Sequence, residues 1–401
     1  VLDKNHPDLA TSYGNLSLIY QDMERLPDAL AYQQKVIIIQ EQVLGENHPK
    51  LAASYNNIAQ IYQDMGHLPD ALAYQQKAIA IQEQVLDKNH PDIAASYGNL
   101  SSIYRTMGQL PEALAYQRRA IVIQEQVFDK KHPDLATSYG NLSLIYQDMG
   151  RMRDALAYQQ KAIAIQEQVL DKKHPALAAS YSNISLIYKD MKQLPDALAY
   201  QQKAIAIREK VLAPDHHNLI IAYNNIAQLY QDMGRLSDAL VYQQKNITIR
   251  ENTVGDSHPD LATSYSNISL IYKDMGRLSD ALAYQQKAIA IREKVLDNNH
   301  PDLATSYNNL SLVYQAMGHL HDALEYQQKA IIIREQVLGK NHHELATSYN
   351  NMAGIFLMMG KLIDALDYQQ KAVSIYNQTL PQNHPELANS YNNMAVLYPK
   401  M

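Results

Sequence analysis

Residues 132–173 decide the fold, and they read HPDLATSYGNLSLIYQDMGRMRDALAYQQKAIAIQEQVLDKK. In the first half of this stretch, large apolar or aromatic residues recur at intervals of four, three and four positions, at Leu135, Tyr139, Leu142 and Tyr146. This spacing is typical of the apolar stripe of an amphipathic helix. The pattern therefore predicts a first helix of about four turns with one buried face.

The signals at the ends of this helix predict a helix hairpin. Pro133 falls in the first turn, where its missing N–H is tolerated, and Gly150 suits the left-handed residue that follows a helix. A second helix is predicted over roughly 154–170, with Ala155 and Ala162 seven positions apart on one face. Because alanine is small, these two residues let the second helix lie close against the first.

The hairpin recurs with a period of 42 residues, marked by histidine and, in eight of ten cases, a following proline: His6, His48, His90, His132, His174, His216, His258, His300, His342 and His384. A period in this range indicates stacked supersecondary units. Nine full repeats are predicted at 6–47, 48–89, 90–131, 132–173, 174–215, 216–257, 258–299, 300–341 and 342–383. Residues 1–5 match the tail of a preceding repeat, and 384–401 form a partial tenth, predicted to be a C-terminal capping helix.

Composition excludes several classes of protein. The net charge is −6 with 35 basic and 41 acidic residues, and no basic stripe or acidic block indicates nucleic acid or a charged tail. The chain has no cysteine, so disulfides, thiolate catalysis and zinc–thiolate sites are excluded. No apolar run approaches the length of a membrane span, so we expect no membrane insertion. Because there is no basic stripe, we also expect no nucleic-acid partner.

The recurring residues resemble the tetratricopeptide repeat (TPR), through Tyr139, Leu142-Ser143, Tyr146, Gly150, Ala155 and Ala162, and the 42-residue spacing resembles the kinesin light chain type. The resemblance implies an all-α fold, a right-handed α-α superhelix of nine full helix hairpins plus a terminal helix. It also implies a concave groove lined by the first helices, non-enzymatic binding of a protein or extended peptide, and a cytoplasmic location.

One polar column is invariant. Every repeat carries asparagine in the middle of its first helix, at Asn15, Asn57, Asn99, Asn141, Asn183, Asn225, Asn267, Asn309, Asn351 and Asn393. Asparagine is a mediocre helix former, so ten at one phase need a reason. By resemblance, the column faces the groove, where amides that donate and accept would bond a peptide backbone. The alternative is that each asparagine bonds the adjacent repeat and fixes the stacking, and one amide can do both.

The same column carries glycosylation motifs. Candidate N-glycan acceptors of the Asn-x-Ser/Thr type are Asn15, Asn99, Asn141, Asn183, Asn246, Asn267, Asn309 and Asn377. The structural alternative is that asparagine simply stands beside a core residue and a small helix-packing residue. Because glycans would fill the groove and exclude peptides, the motifs discriminate between a peptide-binding protein and a secreted, glycosylated array.

The histidines that recur every 42 residues do not predict a metal site. With one per repeat, successive histidines lie too far apart to share an ion, so a role at the helix start is favoured. No phosphate loop, nucleophile elbow or paired-carboxylate arrangement stands out, and neither an enzyme nor a cofactor is predicted.

Two function classes remain open. The first is a non-enzymatic scaffold that binds a protein or peptide in the asparagine-lined groove. The second is a self-associating array or fibre subunit, extracellular and glycosylated, which is favoured by the near identity of the repeats: residues 6–23 and 132–149 differ at no position. A groove for one asymmetric peptide should vary more from repeat to repeat.

Overall fold

The computed structural model describes residues 6–255, 257–381 and 384–397. The predicted tail at 1–5 and the last four residues of the predicted partial repeat lie outside this range. Nineteen α-helices and no strand occur in the described residues, as the all-α prediction requires. The chain divides into two compact parts, residues 1–211 and residues 212–401.

The N-terminal part contains five helix pairs: α1 Pro7–Asp22, α2 Leu26–Leu44, α3 Pro49–Asp64, α4 Leu68–Val85, α5 Pro91–Thr106, α6 Leu110–Val127, α7 Pro133–Asp148, α8 Met152–Val169, α9 Pro175–Asp190 and α10 Leu194–Val211. The C-terminal part contains four pairs and a last helix: α11 His217–Asp232, α12 Leu236–Thr253, α13 Pro259–Asp274, α14 Leu278–Val295, α15 Pro301–Met317, α16 Leu320–Val337, α17 His343–Met358, α18 Leu362–Thr379 and α19 Pro385–Leu397. Within each part, odd-numbered helices are the first helices of the repeats and even-numbered helices are the second.

The predicted apolar stripe forms the core of each hairpin. In α7, the stripe residues are 1–8% exposed: Leu135, Tyr139, Leu142 and Tyr146. Ala155 and Ala162 of α8 are completely buried in the same cluster. The second helix begins at Met152, two residues before the predicted start, and these buried alanines confirm why the two helices can pack closely.

The periodic histidines cap the first helices. In all ten repeats, histidine Nδ1 accepts a hydrogen bond from the backbone N–H two residues later, with N···N distances of 3.1–3.3 Å. The bond satisfies one of the N–H groups that the first turn leaves without a helical partner. The prediction of a role at the helix start is confirmed.

Glycine closes most of the first helices. Gly150 has φ of 72°, a left-handed conformation in which a side chain would be strained, as the sequence predicts. Two repeats have a residue other than glycine at this position, Glu24 and Lys192, and these residues also have left-handed φ values, of 58° and 61°.

Candidate binding surface on the first helices

Within each part, buried glutamines tie one repeat to the next. Gln159 of α8 is completely buried, and its Nε2 donates to the backbone carbonyl of Ser180 in α9 at 3.3 Å. The same bond, at 3.0–3.3 Å, joins seven further pairs: Gln33–Ser54, Gln75–Ser96, Gln117–Ser138, Gln243–Ser264, Gln285–Ser306, Gln327–Ser348 and Gln369–Ser390. Sequence reasoning missed this column, although the signal was present, because all nine second helices carry the glutamine.

Tyrosines make a second tie between repeats. The Tyr139 hydroxyl donates to Glu125 Oε1 of the preceding repeat at 2.6 Å. Burial and, secondarily, this hydrogen bond to Glu125 raise the pKa of Tyr139 above its ordinary value. The pair recurs at Tyr55–Glu41, Tyr97–Glu83, Tyr181–Glu167, Tyr265–Glu251, Tyr307–Glu293 and Tyr349–Glu335. The tyrosine at this position is therefore a packing residue whose hydroxyl also joins neighbouring repeats.

The asparagine column divides into two groups. In the first, the side-chain Nδ2 donates to the side-chain Oδ1 of another asparagine in the preceding repeat: Asn267 to Asn224 at 3.0 Å, Asn351 to Asn308 at 2.9 Å and Asn393 to Asn350 at 2.9 Å. The acceptor always stands one position before the column. These three amides fix the stacking of neighbouring repeats.

The second group has no hydrogen-bond partner for its side chains within the described residues: Asn15, Asn57, Asn99, Asn141, Asn183, Asn225 and Asn309. The residue one position before the column explains the difference at Asn141. In the preceding repeat this residue is Gly98, which offers no side-chain acceptor. Asn99 is a separate case, because the amide oxygen of Asn56 is already bonded to Gln75 and Ser96.

A small recess opens where the acceptor is missing. It has a volume of about 30 Å³ and is lined by Gly98, Gln117, Asn141 and Arg105 among others. Its size is about that of one water molecule. Asn141 is thus an exposed amide on the surface of α7, and its donor and acceptor are both available to a ligand.

The flanking polar columns are engaged with each other. Gln147 Nε2 donates to Asp190 Oδ2 of the next repeat at 3.1 Å, and Gln231 donates to Asp274 at 3.0 Å. Where the glutamine is replaced by Arg105, the contact becomes an ion pair with Asp148. Within each of the two parts, the available amides and these cross-repeat ties form an asparagine face, which we define as the surface of that part's first helices at the column and up to seven positions beyond it.

The serines of the Asn-x-Ser motifs have a structural role. Ser143 Oγ is buried and donates to the carbonyl oxygen of Ala155 in the second helix at 2.7 Å. The same bond, at 2.7–2.8 Å, occurs in the five other motifs of the column: Ser17–Ala29, Ser101–Ala113, Ser185–Ala197, Ser269–Ala281 and Ser311–Ala323. A serine at this position thus has a reason that involves no glycan, and glycosylation stays a prediction.

Asn246 differs from the other candidate acceptors because it is 1% exposed. Its Nδ2 donates to the carbonyl of Ile220 at 2.8 Å, and its Oδ1 accepts from Ser264 Oγ at 2.7 Å. A glycan could reach this amide only before the hairpin folds or after it opens. Asn377 is exposed and accepts a hydrogen bond from the Tyr391 hydroxyl at 3.0 Å.

Two further properties bear on function. Among residues 6–255, 257–381 and 384–397, no three histidine, aspartate or glutamate side chains are grouped as a metal site would need. Within the same range, no helix is both long and apolar enough to cross a membrane.

The helix hairpins, their glutamine and tyrosine ties and the asparagine face define a helical repeat protein. The tetratricopeptide repeat model matches overlapping windows along the chain, at 8–84, 55–126, 92–168, 134–210, 176–252, 218–294, 260–336, 302–378 and 344–400. The chain belongs to the tetratricopeptide repeat family, whose fold is generally a non-enzymatic scaffold.

Solved structures agree with this fold. The apo form of RapI is 14% identical and has a TM-score of 0.71, with 92% of this chain and 98% of that chain covered. The apo form of the quorum sensor NprR from B. thuringiensis is 16% identical and has a TM-score of 0.61, with 90% and 100% covered. These similarities concern the fold alone.

The structural neighbours also include kinesin light chain-like proteins. A putative kinesin light chain with nearly identical TPR-like repeats, from Podosopora anserina, is 28% identical over 51% of this chain and 97% of that chain, with a TM-score of 0.45. A comparison with curated proteins finds no significant match.

Proposed function

We propose that the chain is a scaffold that binds an extended peptide or protein segment along the asparagine face. The observation that supports this proposal is the division of the asparagine column. Three amides are bonded to a neighbouring repeat, whereas seven have no partner within the described residues. Stacking therefore accounts for only part of the column, and a backbone ligand accounts for the amides that stacking leaves available.

The chemistry of the available amides favours a peptide backbone. Each amide can accept from a peptide N–H and donate to a peptide carbonyl, so the recognition is tolerant of side-chain sequence. The aspartates that stand seven positions beyond the column are engaged, because Asp148, Asp190 and Asp274 already accept hydrogen bonds from the preceding repeat. They therefore do not strongly disfavour an uncharged ligand. A neutral extended segment suits this face better than an anion does.

The test compares available and bonded amides. Peptides of about 16 residues are selected from a random phage-displayed library on the intact protein, and their binding is measured by fluorescence polarisation. In the variant, Asn141 and Asn183 are both changed to alanine. Loss of two backbone hydrogen bonds predicts at least about tenfold weaker binding and an unchanged melting temperature.

The matched control is Asn351→Ala, which removes a bonded amide of the same column. We expect it to lower the melting temperature, because Asn308 loses a donor. If the Asn141/Asn183 variant binds the selected peptides as tightly as the native chain does, the asparagine face is not the ligand site.

The self-associating array remains the alternative hypothesis. Analytical ultracentrifugation of the native protein, with mass spectrometry of the peptide that contains Asn141, tests it. This alternative is refuted if the protein is monomeric at every protein concentration measured and Asn141 is unmodified.

A further inference from the structure

Helix α17 interrupts the uniform asparagine face. Three positions beyond the column, the other repeats carry leucine, valine, glutamine or serine, but α17 carries Gly354. Six positions beyond it, Leu357 replaces glutamine, lysine or arginine. Seven positions beyond it, Met358 stands where six repeats have aspartate. These three differences lie on the same face of α17, so the asparagine face differs there from its course along the other first helices.

The missing side chain opens a depression between α17 and α19. Its volume is about 250 Å³, and its lining combines the apolar side chains of Leu357, Val396 and Leu397 with the amides of Gln315, Asn350, Asn351, Gln369 and Asn393. Leu397 is 2% exposed and belongs to the core, whereas Val396 is 50% exposed. Sites for whole small molecules are usually about 300–1,000 Å³, so this depression fits one large side chain better.

The hydrogen bond that joins neighbouring first helices through a glutamine and an aspartate is also changed here. Elsewhere in the C-terminal part, Gln231 donates to the carboxylate of Asp274. Among the residues that the structure describes, the only acceptor for Gln315 Nε2 is the thioether sulfur of Met358, at 3.2 Å. Sulfur is a weak acceptor and Met358 is 54% exposed. The polar tie is replaced by an adaptable apolar surface, which costs little to desolvate.

Amides surround the depression. Asn351 and Asn393 use their Nδ2 groups for stacking, but no hydrogen bond within the described residues reaches the Oδ1 atom of either. Both residues line the depression. A depression with apolar side chains on part of its wall and amide acceptors on the rest matches a residue whose side chain is apolar and whose backbone N–H must be satisfied.

We propose that this depression binds a single bulky apolar side chain, leucine or phenylalanine, of an extended peptide. The proposal rests on the proposed function, because the depression lies on the asparagine face of the C-terminal part. It adds what the uniform column lacks, a position that fixes the register of the ligand. Sequence-tolerant amides would hold the backbone, and one apolar anchor would decide where along the chain it sits.

The test uses small probes and local methyl signals. N-acetyl-leucine methylamide and N-acetyl-phenylalanine methylamide are titrated into the full chain, with N-acetyl-alanine methylamide as the comparison. Carbon-13 methyl NMR follows Leu357, Val396 and Leu397. A ligand of this size reaches a Kd of about 1 mM at ordinary ligand efficiency, so we expect saturable shifts with the first two probes and none with the third.

Gly354→Leu restores the residue type of the preceding repeat and fills the depression. A Cβ at this position would lie 3.5 Å from Gln315 Nε2, an ordinary contact, and leucine is a better helix former than glycine. We therefore expect at least about tenfold weaker probe binding and an equal or higher melting temperature. Gln228→Leu, which adds the same side chain at the same position of α11, should leave probe binding unchanged.

Failure of this proposal is distinguishable from failure of the proposed function. Absent shifts, equal shifts with the alanine probe, or undiminished binding to Gly354→Leu would each overturn the anchor site. If the probes fail but selected peptides still depend on Asn141 and Asn183, only the anchor site is wrong. If the probes bind and no peptide depends on those two residues, the anchor site stands and peptide binding by the asparagine column is wrong.

Discussion

Replacing Tyr139 with phenylalanine should change stability in opposite directions at neutral and alkaline pH. Near neutral pH the substitution removes the hydroxyl that donates to Glu125 at 2.6 Å. A hydrogen bond to a charged group contributes about 1.5–3 kcal/mol, and Glu125 is exposed, so we expect a loss of about 1 kcal/mol.

The pH dependence follows from the direction of the pKa shift. Burial first, and then the bond to and charge of Glu125, raise the pKa of Tyr139 in the folded chain. The neutral phenol is the form that the fold favours. Its contribution is fully present below the unfolded pKa of about 10 and is lost as the pH rises through the folded value. At about pH 11 ionisation stabilises the unfolded tyrosine by about 1.4 kcal/mol, and phenylalanine avoids this loss.

Together, these effects reverse the sign of the change in unfolding free energy caused by Tyr139→Phe between neutral and alkaline pH. Tyr139→Phe is destabilising by about 1 kcal/mol near pH 7 and slightly stabilising, by about 0.4 kcal/mol, near pH 11. Urea unfolding followed by circular dichroism at the two pH values measures both. As a control, Glu125→Gln keeps an acceptor but removes its charge, so its pH dependence should be weaker than that of the native chain. Equal costs of Tyr139→Phe at both pH values would refute the argument.

Three further predictions concern the ends and contacts of the helices. Lys192→Gly should stabilise the chain by about 1 kcal/mol in thermal unfolding, because Lys192 has φ of 61° where Gly150 has 72°; no gain would show that the left-handed lysine is unstrained. Ser143→Ala should cost about 1 kcal/mol in urea unfolding of unglycosylated protein, since the bond to the buried carbonyl of Ala155 is lost, and an unchanged midpoint would contradict its structural role. His132→Ala should cost about 1 kcal/mol and speed hydrogen exchange in the first turn of α7, whereas His132→Asn should restore the cap.

The asparagine column shows how far sequence reasoning reached at the candidate site. The invariant residues and their common phase were visible in the chain, and both roles, stacking and ligand binding, could be stated. The assignment of a role to each residue could not be made, because the partner of Asn351 is Asn308, 43 residues earlier in another helix. The variable residue before the column, which decides whether an acceptor exists, has no meaning until neighbouring repeats are placed side by side.

The buried glutamines illustrate the same limit. Gln159 stands beside Gln160 in a run that reads as a polar helix surface. Only the packing of α8 against α9 shows that Gln159 is completely buried and Gln160 is not. The serine of the Asn-x-Ser motif, which bonds a carbonyl 12 residues later, likewise has a structural reason that its local sequence does not display.

The sequence by itself determined the repeated helix hairpin, its capping histidine and its closing glycine. These features depend on interactions within a few residues, and the 42-residue period repeats the hairpin nine times and the capping histidine ten times. The tertiary structure decided which amides are used in stacking, which remain available, and where Gly354 opens the asparagine face. Those properties depend on side chains from adjacent repeats, which approach each other only when the hairpins stack.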